Sequence, residues 1–71
     1  MSFGKWLKDQ RVSLNLSQQD FAKMTGIHQV SISGLENGTR KPHFKTVAKL
    51  SDFLGISVMD IQRVISRTED K

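Results

Sequence analysis

The 71-residue chain has no cysteine and a single proline. Without cysteine there are neither disulfides nor thiolate metal sites, so the hydrophobic effect must hold the fold. His28 and His43 are too few and too separated to suggest a zinc site, and no cofactor is expected. No apolar run approaches the roughly 20 residues that span a bilayer, and no signal peptide opens the chain, so the expected location is cytoplasmic. Convincing period-2 alternation is absent, as are repeats, linkers and low-complexity segments. At this length the chain is one domain with room for one modest core.

What the chain does have is positive charge and helical periodicity. Eleven Lys and Arg against seven Asp and Glu leave a net charge of +4. Basicity in a small domain suggests a polyanionic partner, but position has to decide whether there is one. Phe3, Trp6, Leu7 and the stretch 10–14 give an i, i+3, i+4 stripe for a first helix over residues 2–14, with Asn15 as its stop. The second helix has the clearest start: Ser17 caps it, Asp20 completes a capping box, and Leu16 with Phe21 form a hydrophobic staple. Gly26 supplies the positive φ that ends it. A third helix follows from Gln29 to Glu36, closed by Asn37-Gly38 and opened by His28, a poor cap.

Pro42 then fixes the start of a fourth helix that carries Phe44, Val47, Ala48, Leu50 and Leu54 and ends at Gly55. Ser57 with Asp60, and Ile56 with Ile61, repeat the box and staple for a fifth helix running to about Ser66. The domain is expected over residues 1–66, with 67–71 as a polar, frayed tail.

At 100° per residue, the third helix turns Ile32 and Leu35 one way, with His28 and Glu36 beside them. Val30, Ser33, Gly34 and Asn37 point the opposite way, with Gln29 on the flank. An exposed helix of no function usually carries Lys and Glu on such a face; here the face is small and uncharged. A helix–turn–helix presents such a face to the major groove of DNA. Gln29 has the geometry for a bidentate bond to adenine, Val30 for thymine methyl groups, and Ser33 for a base or phosphate. Gly34 removes bulk, either for close approach to DNA or for packing against another helix or a partner protein.

Arg40 and Lys41 in the following loop, and Lys45 at the start of the fourth helix, fall where phosphates would flank the groove. Gln18, at the second helix's N-terminus, is placed to hold a phosphate with the unpaired backbone N–H groups there. Lys5, Lys8, Lys23 and Lys49 read as solvated helix faces.

The run FGKWLKDQR at 3–11 with Leu7 and Arg11, LSQQDFA at 16–22, Gly26-Ile27, ISGLENG at 32–38, Pro42 and LGISV at 54–58 resembles the Cro–phage-repressor helix-turn-helix family over roughly 3–61. The resemblance implies an all-α, compact five-helix domain of the lambda-repressor type that binds operator DNA as a two-fold dimer. It implies base readout by residues placed like Gln29, Val30, Ser33 and Gly34. It implies phosphate contacts from those placed like Ser17, Gln18, Asn37, Thr39, Arg40 and Lys41, and an ion pair between Arg11 and Glu36. His28 and His43 stand where the family commonly has a Ser or Thr cap.

The expected function is a sequence-specific, double-stranded-DNA-binding regulator of transcription, a repressor on a near-palindromic operator, in a prokaryotic nucleoid or encoded by a phage. The alternative is the antitoxin of a toxin–antitoxin pair that also binds its own promoter. With little chain beyond the domain, regulation is expected through dimerisation, a protein partner or turnover. Val64 and Ile65, past the usual end of the fifth helix, are dimer candidates, with packing on their own core the competing reading. An enzyme is not expected: no Ser, His and Asp fall into a nucleophilic arrangement, and a groove-facing helix of Val and Gly offers no general base. RNA binding is disfavoured by the want of exposed aromatics on which bases would stack.

Overall fold

Local chemistry marks most helix boundaries in the computed structural model, which describes residues 2–69. Among these residues there are five helices and no strand: α1 (Phe3–Ser13), α2 (Gln18–Thr25), α3 (Gln29–Asn37), α4 (Phe44–Leu54) and α5 (Val58–Glu69). The Ser2 hydroxyl accepts from the Lys5 N–H at 3.1 Å, and Ser17 and Ser57 accept from Asp20 and Asp60 at 3.0 and 3.1 Å. His28 and His43 occupy the cap positions of α3 and α4 in extended backbone and make no side-chain cap bond. Asn15 turns the chain out of α1 with a φ of 58°.

The five helices bury one cluster. Leu7, Phe21, Ile32, Val47, Leu50 and Ile61 are fully buried, each stabilising the fold by about 1.5–3 kcal/mol. Phe53 meets Phe21 edge-on, ring centroids 5.6 Å apart. α1 crosses α3 closely because Gly4 sits against the last turn of α3; a Cβ there would lie 2.5 Å from the Glu36 carbonyl oxygen and 2.6 Å from that of Leu35. Among the described residues no helix is long and apolar enough to cross a membrane.

Three sequence expectations are corrected. Phe44 is 74% exposed rather than part of the α4 core stripe. Val47, Leu50 and Leu54 centre that stripe, and Phe44, in the first turn, lies roughly a quarter turn to one side. Ile65 is only 9% exposed and belongs to the core, with Val64 half-buried against it, so packing on their own core is the role observed and Ile65 is not open to a partner, while Val64 keeps part of its surface exposed. Ile65 follows Ile61 by four residues, which puts both on the buried side of α5. Finally, α5 continues to Glu69, past the expected end near Ser66, so residues 67–69 are helical, and 70–71 lie outside the described residues.

Candidate nucleic-acid interface

The turn between α2 and α3 is built from three local bonds. Gly26, at φ 77°, places its N–H 2.9 Å from the Ala22 carbonyl in a left-handed cap that a side chain would strain. The Thr25 hydroxyl donates to the Phe21 carbonyl at 2.7 Å and accepts from the Ile27 N–H at 3.2 Å. Lys49 of α4 is exposed, as expected, and also donates from Nζ to the Gly26 carbonyl at 3.0 Å, tying the turn to α4. Cations suit this end of a helix, where carbonyls have no partner within the helix. Nothing local to Lys49 in sequence signals the contact, which spans 23 positions.

With Ile32 and Leu35 buried, α3 turns Gln29 and Val30 outward, Val30 being 67% exposed, and leaves Ser33 half-buried. These three line a shallow concavity shared with Gly34 and Asn37 of α3, Thr39 and Arg40 of the loop that follows it, and Gln18 of α2. All four residues expected to read bases, and four of the seven expected at phosphates, thus meet on one surface. Ser17, Lys41 and Lys45 are exposed but do not line it. Lys41 lies around the other side of the loop, with Pro42 and His43.

The last turn of α3 folds the loop back over the helix. The Gly34 carbonyl accepts from the N–H groups of Gly38, Thr39 and Arg40, the last two at 2.9 and 3.1 Å. Asn37 Oδ1 accepts from the Thr39 N–H and hydroxyl at 3.0 and 2.7 Å. Arg40 therefore returns along α3, its stem over Gly34 and its Nη1 3.5 Å from Ser31 Oγ. This corrects two expectations. Gly34 is buried under the arginine stem instead of lying open for close approach of a base. The outer surface of α3 also carries a cation borrowed from the loop. Ser31 was not among the residues singled out by sequence, although its position three before Gly34 puts it on the same strip of helix.

Behind this surface, Arg11 of α1 donates from Nε to Glu36 Oε2 at 2.7 Å and from Nη2 to Oε1 at 3.1 Å, and its Nη1 donates to the Leu16 carbonyl at 2.8 Å. The side chains are 11% and 5% exposed. The hydrogen bond to Glu36, and its charge, raise the Arg11 guanidinium above its ordinary range against the opposing effect of burial. Gln18 Nε2 donates to the same Glu36 Oε1 at 3.0 Å. One carboxylate thus fixes α1, α2 and α3 together and holds one amide N–H of Gln18, whose carbonyl oxygen and second N–H keep their bonding capacity. Among the described residues no group of His, Cys, Asp and Glu could hold a metal ion.

The Helix-turn-helix family model matches residues 7–61, the span from the core of α1 into α5. An HTH-type transcriptional regulator of Methanocaldococcus jannaschii is 36% identical over 55 residues, covering 78% of this chain and 83% of that protein. The cryptic phage CTXphi transcriptional repressor of Vibrio cholerae is 30% identical over 59 residues, 83% of this chain and 53% of its own. An SPbeta prophage-derived HTH-type transcriptional regulator of Bacillus subtilis is 42% identical over 55 residues, 78% and 51% of the respective lengths. The chain thus spans about half the length of the two phage-related relatives. No solved structure matches the chain. The cap-bounded α2–turn–α3 unit, its outward-facing α3 and these relatives agree: the chain belongs to the Helix-turn-helix family of DNA-binding transcriptional regulators, of the Cro–phage-repressor type.

Proposed function

We propose that this protein is a repressor that binds a near-palindromic operator as a homodimer, with α3 in the major groove of each half-site. The observation that carries the reading is the shared surface of Gln29, Val30 and Ser33 with Gln18, Asn37, Thr39 and Arg40. It joins groups suited to base edges with groups suited to phosphates at the spacing of one exposed helix and its flanks. Gln29, in the first turn of α3, reads an adenine edge, Val30 packs on thymine methyl groups, and Ser33 bonds a base or phosphate. Gln18, Asn37, Thr39 and Arg40 hold phosphates around the groove, with Ser17, Lys41 and Lys45 on the backbone further out. A relative named as a phage repressor supports repression over activation. The reading places the protein in the cytoplasm, bound to DNA, without catalysis.

The test is Gln29→Ala, assayed on a duplex selected from random DNA and on unselected duplex. Binding to the selected duplex should weaken by about 1–3 kcal/mol, with preference relaxed at one base pair per half-site. Equal loss on both duplexes would remove Gln29 from base readout.

A further inference from the structure

Gly34 is a glycine that its own backbone does not require. Its φ lies outside the left-handed region occupied by Gly26, Gly38 and Gly55, and it stands inside α3, where alanine is preferred. The requirement comes from a neighbour. A Cβ at position 34 would stand 2.6 Å from both Cγ and Cδ of Arg40 and 3.2 Å from its Cβ. The root of Arg40 cannot simply step aside, because its N–H is bonded to the Gly34 carbonyl at 3.1 Å and the preceding N–H at 2.9 Å. Beyond Gly34 the guanidinium reaches Ser31, and the side chain walls the concavity shared by Gln29, Val30 and Ser33.

We propose that Gly34 is the seat of Arg40, a positioning residue that lays the arginine stem along α3 and so fixes where its cation stands on the interface. Gly34 then acts through Arg40 and touches no base itself. An arginine already held on the helix loses less rotamer freedom when a phosphate binds than one waving in solvent. This rests on the reading of Arg40 as a phosphate ligand.

Gly34→Ala, Arg40→Ala and the double variant separate the two ideas through thermal melting and the salt dependence of binding to random duplex DNA. Arg40→Ala should make the slope of log K against log salt shallower by about 0.9, the value of one phosphate contact. Gly34→Ala alone should reproduce most of that change and lower the melting temperature, whereas in the Arg40→Ala background it should alter neither the slope nor lower the melting temperature. An equal melting penalty with and without Arg40, or a wild-type salt slope in Gly34→Ala beside a shallower one in Arg40→Ala, overturns the proposal. If Arg40→Ala leaves the slope unchanged, the phosphate reading fails and with it the positioning role on the interface, while the melting comparison still reports whether the packed seat exists.

Discussion

Glu36 shows how much can depend on one carboxylate. It receives Arg11 in two hydrogen bonds and Gln18 in a third, and both charged side chains are nearly buried. Removing one partner strands a guanidinium or a carboxylate in a poorly solvated place, which costs about 3–5 kcal/mol, whereas replacing both with well-packed apolar residues is often close to neutral. Glu36→Ala should therefore destabilise the domain by that amount in denaturant melts, and Arg11→Met with Glu36→Leu should recover most of the loss. A double variant as unstable as Glu36→Ala would show that the pair itself, and not its broken half, sustains the fold. The same variants bear on function, since Gln18 loses its fixed partner. Arg11 and Glu36 were recognisable by their place in the family pattern, while the contribution of Gln18 was not, because a bond between positions 18 and 36 follows only from the way α2 and α3 cross.

Most helix ends are set by their own short-range chemistry, which is why the five elements could be read from sequence to within a few residues. Serine before α2 and α5, and glycine after α2, α3 and α4, act within a few positions of themselves. What sequence did not reveal depends on contacts between elements: Phe44 out in solvent, Lys49 on the turn, Arg40 laid over Gly34. Periodicity names a face but not how far along the helix the neighbouring elements cover it. The weak cap of α3 gives a direct test. His28 already has the extended backbone of a cap residue and makes no cap bond, so His28→Ser should stabilise the protein by about 0.5–1 kcal/mol. Ser17→Ala should cost about 1 kcal/mol by removing the bond to Asp20. Thermal melting checks both, and a fall in melting temperature for His28→Ser would mean that His28 has a structural role beyond the cap.

The molecule is a basic object with extents of 32 × 23 × 21 Å, so the proposed dimer has room for two copies side by side at the roughly 34–36 Å that separates successive major-groove faces of one duplex. Its charge suits attraction to any duplex, and under the proposed reading α3 supplies the preference among sequences. The set proposed to read bases is small: the amide of Gln29, the branched side chain of Val30 and the hydroxyl of Ser33, with Arg40 alongside. Such a surface distinguishes few base pairs by direct contact, so part of any specificity must come from DNA shape. Selecting bound fragments from random duplex DNA tests the central claim that α3 is a recognition helix. The account predicts enrichment of a two-fold motif, with half-sites about one helical turn apart and A·T pairs opposite Gln29 and Val30. Recovery of fragments no different in sequence from the starting pool would contradict it.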